Sequence, residues 1–73
     1  MNYAEMLAKD IHDAGWSYGE VKAIEGCGLV WIVDAKKEHS PRLWAKSSDK
    51  LTAYQELTRL VREHDSKSGQ GRN

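Results

Sequence analysis

The stretch Leu29-Val-Trp-Ile-Val-Asp-Ala35 is the most apolar run of the 73-residue chain, and it decides the fold. Its aliphatic, β-branched and aromatic residues follow a glycine, as is typical of a strand. Side chains alternate between the two faces of a strand. The alternation separates two sets of residues: Leu29, Trp31, Val33 and Ala35 on one face, and Val30, Ile32 and Asp34 on the other. Because both faces are apolar near the middle, we predict the central strand of a sheet.

Length and composition limit what surrounds this strand. A chain of 73 residues allows one domain with a small core. Its 11 basic and 11 acidic residues cancel, which excludes the overall positive field that most small nucleic-acid-binding proteins use. The single cysteine, Cys27, has no intramolecular disulfide partner. Since residues 1–15 do not have the pattern of a signal peptide and no segment reads as a membrane span, we expect a soluble, cytoplasmic protein.

On the N-terminal side, the pattern predicts a helix and then a strand. Asn2 is a helix cap, and a helical apolar repeat follows it as far as Gly15: Tyr3, Ala4, Leu7, Ile11 and Ala14. The period changes to two between Trp16 and Glu25, which indicates a first strand with a bulge near Gly19. The glycines of Glu25-Gly-Cys-Gly28 favour a tight hairpin that makes the two strands antiparallel neighbours.

On the C-terminal side, a third strand and a second helix complete the domain. Pro41 precedes the alternating residues 42–46, and capping residues at 47–49 precede an apolar helical arc of Leu51, Tyr54, Leu57, Leu60 and Val61. We expect this helix to end near His64. Residues 66–73 contain no large apolar side chain, so we expect a disordered tail after a single domain of residues 1–65.

The predicted fold is a two-layer α+β structure of αβββα order. Three sequential antiparallel strands leave one face of the sheet for both helices. In topology this resembles the double-stranded-RNA-binding domain. Three segments also resemble small uncharacterised bacterial proteins: Ala14-Gly-Trp-Ser-Tyr18, Val33-Asp-Ala35 and Lys50-Leu-Thr-Ala-Tyr-Gln-Glu-Leu57. That resemblance implies the fold and carries no biochemical activity.

Binding of duplex RNA in the manner of that domain is not expected. Such domains contact RNA through the first helix, the loop between the first two strands and a lysine cluster at the start of the second helix. Here the first helix is acidic, the Glu25–Gly28 loop has no basic residue, and the second helix begins with Asp49 and one lysine, Lys50.

The sheet face away from the helices is the candidate site. We predict that it carries an apolar group with basic neighbours: Lys22, Ile24, Val30, Ile32, Arg42, Trp44 and Lys46. One hypothesis is a protein interface, most simply a symmetric homodimer in which acidic residues 1–25 approach basic residues 36–50. The other is a platform on which Trp44 stacks single-stranded bases beside its basic neighbours. We favour the interface.

The sequence does not predict an enzyme, a cofactor or a metal site. No spacing brings His12, His39 or His64 beside Cys27 as a nucleophile set, and the histidines show no ligand spacing. Asp34, a carboxylate within an apolar strand, is expected to pair with Arg42 or Lys22 across the sheet. Neither a small-molecule ligand nor a membrane partner is expected.

Overall fold

The chain folds as an α+β structure in the predicted order, and the computed structural model describes residues 2–26 and 28–70. Its elements are α1 Tyr3–Asp13, β1 Ser17–Glu25, β2 Gly28–Lys36, β3 Leu43–Ser47 and α2 Lys50–Gln70. The strands form one antiparallel sheet in the order β1-β2-β3. The predicted fold class and the central position of β2 are confirmed.

Polar side chains fix the start of each helix. Oδ1 of Asn2 accepts a hydrogen bond from the backbone N–H of Glu5 at 3.3 Å. At α2, Oδ2 of Asp49 accepts one from the N–H of Thr52 at 2.9 Å. Both caps satisfy amides that lack a partner within the helix. After α1, Gly15 has a φ of +95°, a left-handed conformation that ends the helix.

The second helix is longer than the sequence pattern predicts. α2 continues to Gln70, so the prediction that it ends near His64 is wrong. No proline or glycine directly follows His64 to interrupt the backbone hydrogen bonds. The predicted tail, residues 66–73, therefore begins as helix, and its residues 71–73 lie outside the described part of the chain. The domain boundary after residue 65 stays a prediction.

Strands β1 and β2 form the predicted hairpin. Their register runs without interruption from Ser17 opposite Lys36 to Glu25 opposite Gly28. Because every residue of β1 has one partner in β2, the bulge predicted near Gly19 is wrong. The glycine that follows β1 has a φ of +60°, the left-handed conformation that the tight turn requires.

The core lies between the sheet and the two helices. Its largest fully buried side chains include Trp16 and Tyr54, each 1% exposed. The remaining buried members of the cluster are smaller: Ala4, Ala8, Ile11, Val33, Ala35, Ala45, Ala53, Leu57 and Val61. Both helices thus pack on the face of the sheet that carries Val33 and Ala35.

The buried stripe of α1 differs from the predicted one. Ala4, Ala8 and Ile11 are buried, whereas Tyr3 is 60% exposed and Ala14 is exposed as well. The reason is that α1 packs against α2, and two helices that approach closely need small side chains between them. On α2, three members of the predicted arc are buried: Tyr54, Leu57 and Val61. The other two, Leu51 and Leu60, are only half-buried, and the fully buried Ala53 was not predicted.

Candidate interaction face

The sheet face that points away from the helices, which we call the open face, carries the candidate site. Within the described residues, both helices pack on the opposite face. Strand alternation and register define the open face: Ser17, Gly19, Val21, Ala23 and Glu25 of β1, Gly28, Val30, Ile32, Asp34 and Lys36 of β2, and Arg42, Trp44 and Lys46 in or just before β3.

The structure brings most of the predicted residues together on this face. Five of them lie there: Val30, Ile32, Arg42, Trp44 and Lys46. The placement of the other two was wrong, because Lys22 pairs with Trp31 and Ile24 pairs with Leu29. Directly paired residues in an antiparallel sheet share a face, so Lys22 and Ile24 lie on the helix side.

An apolar strip crosses the open face from one edge strand to the other. Val21 of β1 lies opposite Ile32 of β2, and Trp44 of β3 lies opposite Asp34, two residues further along β2. Val21 and Trp44 are each 58% exposed. The indole ring and the isopropyl group thus present apolar surface to the solvent on both sides of Ile32. Exposed tryptophan within an apolar patch is characteristic of protein interfaces.

Four charged residues of the open face form two ion pairs. Arg42 forms a salt bridge with Asp34, to which its Nε donates a hydrogen bond at 2.7 Å. Nζ of Lys46 lies 2.9 Å from Oε1 of Glu25. The predicted contact between Asp34 and Arg42 is confirmed. Each of these two cations thus has an acidic partner, and Lys36 at the end of β2 adds one further positive charge to the same face.

A shallow depression lies between the apolar strip and the Arg42–Asp34 pair. It has a volume of about 580 Å³, and Gly19, Val21, Ile32 and Trp44 contribute to its lining. A Cβ atom on Gly19 would lie 3.0 Å from Oδ1 of Asp34, so only glycine leaves the carboxylate its full space.

On the helix side, charged groups surround Trp31. The Nζ atoms of Lys22 and Lys50 lie 5.2 Å and 5.1 Å from the centre of the indole ring. Nζ of Lys50 also lies 3.4 Å from Oε2 of Glu20. Trp31 is half-buried beneath these two ammonium groups, which it contacts through cation–π interactions.

The hydroxyl of Tyr54 joins this charged group to the core. It donates a hydrogen bond to Oε1 of Glu20, and this bond lowers the pKa of the Glu20 carboxyl. Burial, followed by the same hydrogen bond and the nearby negative charge, raises the pKa of Tyr54. Both shifts favour the neutral phenol beside the ionised carboxylate. Such a pair ties α2 to β1 and needs no catalytic role.

The β1 residues of the candidate face were missed by the sequence analysis: Ser17, Gly19, Val21, Ala23 and Glu25. The signal that identifies them is the length of the hairpin loop, because a two-residue turn fixes which β1 side chains share a face with Ile32. Cys27 lies outside the described residues. Among the residues that the structure describes, no three His, Cys, Asp or Glu side chains are grouped as metal ligands.

Comparison with known proteins finds no match: no family model, no curated protein and no solved structure. None of the helices in residues 2–26 and 28–70 is both long and apolar enough to cross a membrane.

Proposed function

We propose that this protein is a cytoplasmic, non-enzymatic interaction module that binds a protein surface through its open face, with a second copy of the chain as the partner. The observation that supports the proposal is the uncovered apolar strip, in which Val21 and Trp44 are each 58% exposed. In a domain this small, an apolar sheet face left in water is a liability unless another surface covers it.

The charge pattern of the open face favours a second copy. Two acidic and two basic residues lie around the strip as the pairs Arg42–Asp34 and Lys46–Glu25, and Lys36 adds one positive charge at the end of β2. In a two-fold contact the same patch meets itself, so a face with this small net charge meets an equally weakly charged one. The paired charges lie around an aromatic centre, as in interfaces where a polar rim excludes water from a tryptophan.

The same pairs argue against a platform for nucleic acid, which was the alternative hypothesis. Arg42 and Lys46 already contact carboxylates, and the third predicted cation, Lys22, lies on the other face. A phosphate would have to displace Asp34 or Glu25 to reach them. We therefore expect no binding of single- or double-stranded nucleic acid, even at low salt.

The experiment is sedimentation velocity over a concentration series for wild type and Trp44→Glu. A carboxylate at the centre of a buried contact loses its hydration without gaining a partner, so Trp44→Glu should halve the mass of the assembly while the protein stays folded by circular dichroism. The matched control is Tyr3→Glu, which removes an exposed aromatic ring from α1, far from the open face, and should leave the mass unchanged.

Three results would contradict the proposal. A Trp44→Glu protein with the mass of the wild type would show that the open face does not hold a second copy. So would a wild type that stays monomeric at high concentration. Retention of a labelled single-stranded oligonucleotide by wild type, with its loss in Arg42→Ala, would favour the nucleic-acid hypothesis instead.

A further inference from the structure

We propose that the outer edge of β1 pairs antiparallel with β1 of a second copy, so that two three-stranded sheets join into one continuous sheet. The backbone edge that makes this contact is a different surface from the open face. The inference therefore does not depend on the proposed function, and each can fail without the other.

The two edges of the sheet differ in how they are protected. β3 has five residues and follows Pro41 closely, and short strands and prolines are the usual means of blocking an edge. β1 has nine residues, contains no proline and pairs with β2 without a bulge. Its outer backbone groups thus offer a long, regular template for another strand.

The side chains of β1 are complementary to themselves in one register. A two-fold axis at Val21, the middle residue of β1, places Glu20 opposite Lys22 of the second copy. It also places Tyr18, 45% exposed, opposite Ile24 of that copy, 80% exposed. Opposite charges and apolar groups that face each other across an antiparallel pair stabilise it. The two-fold axis produces each of these contacts twice. In this register every residue of β1 lies opposite a residue of β1 in the second copy.

Neighbouring registers lose this complementarity. A shift of the register by two residues in one direction places Glu20 opposite Glu20 of the second copy, and a shift in the other direction places Lys22 opposite Lys22. Like charges directly opposite each other destabilise an antiparallel pair. A shift by one residue would bring the helix side of one copy level with the open face of the other. The charges at positions 20 and 22 thus allow one register and discourage unspecific edge pairing.

Contacts within the fold hold both charged side chains in place before pairing. Glu20 accepts the hydrogen bond of Tyr54, and its Oε2 lies 3.4 Å from Nζ of Lys50. Lys22 lies over the ring of Trp31. Because these contacts restrict the two side chains, less conformational entropy is lost when the second copy binds.

The test uses two charge-reversed variants in the Trp44→Glu background, which removes any contact through the open face. Lys22→Glu places two acids opposite each other, and Glu20→Lys places two lysines opposite each other, so each should weaken the dimer at least about tenfold. An equimolar mixture of the two variants restores opposite charges at both positions and should form a heterodimer as tight as the parent. If the mixture stays monomeric while the parent dimerises, the proposed register is wrong.

A cross-linking measurement covers the case in which Glu20→Lys, deprived of the Tyr54 contact, fails to fold. In a Trp44→Glu, Cys27→Ser background, which leaves only the edge contact, Val21→Cys places two thiols opposite each other on the axis, within disulfide reach. Mild oxidation should give a covalent dimer. In the control, Ala23→Cys, the thiols lie about 13 Å apart along the strands and should not cross-link. Equal cross-linking of both, or of neither, would overturn the proposal, as would a monomeric Trp44→Glu parent.

Discussion

The hydroxyl of Tyr54, a residue only 1% exposed on α2, donates its hydrogen bond to Glu20 of the edge strand β1. Removal of the hydroxyl in Tyr54→Phe leaves the ring in the core and the carboxylate without its partner. We expect a loss of about 1–2 kcal/mol in the free energy of unfolding, since the hydrogen bond joins a neutral donor to an ion. Urea melts of both proteins measure it, and an unchanged midpoint would mean that water replaces the bond.

The same contact predicts a pH dependence. Because the pKa of Glu20 is lowered from its ordinary value of 4.5, its ionisation contributes stability that is present above pH 4.5 and is lost as the pH falls through the folded-state pKa. The hydrogen bond from Tyr54 is the largest cause of the lowered pKa. When the pH falls from 5 to below the folded-state pKa of Glu20, the free energy of unfolding should therefore decrease less for Tyr54→Phe than for wild type. Parallel pH profiles would contradict this assignment.

Leu57 tests the position of the core. Its side chain is 0% exposed within the buried cluster, and Leu57→Ala should lower the free energy of unfolding by about 2–5 kcal/mol because a cavity remains. Met6→Ala is the control, since Met6 is 49% exposed and its loss should change stability by less than about 0.5 kcal/mol. Equal effects in denaturant melts would show that α2 faces the sheet differently.

Gly19 tests the packing under the Arg42–Asp34 pair. The methyl group of Gly19→Ala would meet Oδ1 of Asp34, so the carboxylate must shift, and we expect a loss of about 1–2 kcal/mol. In Gly28→Ala the new Cβ has no neighbour within 4 Å among the described residues, and stability should not fall. Thermal melts compare the two, and equal melting temperatures would show that the carboxylate moves freely.

The three tryptophans provide an independent test of the faces. In variants that keep one tryptophan each, iodide should leave Trp16 unquenched, because it is 1% exposed, and should quench Trp44, which is 58% exposed. Trp31, which lies beneath Lys22 and Lys50, should be quenched to an extent between those of Trp16 and Trp44. The measurement uses protein dilute enough to be dissociated. Protection of Trp44 that persists on dilution would contradict its exposure in the monomer.

The order of elements could be predicted from the sequence because periodicity and caps are local properties. The face of β1 could not be predicted in that way. Alternation separates Val21 and Ala23 from Lys22 and Ile24, but it does not say which set meets the helices. The prediction that Lys22 and Ile24 lie on the open face was therefore wrong. The hairpin register decides the question.

The prediction of the buried stripe of α1 was wrong in part for a similar reason. A helical wheel weights large apolar residues, so it selected the exposed Tyr3 and missed Ala8, which is buried where α1 packs against α2. The burial of Trp16, which directly follows the turn after α1, likewise depends on long-range packing. Its ring meets that of His64 edge to face at 5.4 Å, a contact between residues far apart in sequence. Local patterns contain no information on such pairs.

The packing of α1 against α2 has a consequence for biosynthesis. The first and last elements of the chain contact each other, and α2 supplies Tyr54, Leu57 and Val61 to the core. Until α2 has been synthesised, α1 and the helix side of the hairpin have no second helix to pack against. Folding therefore waits for α2, and a product of translation that ends before α2 exposes an apolar hairpin that proteases can recognise.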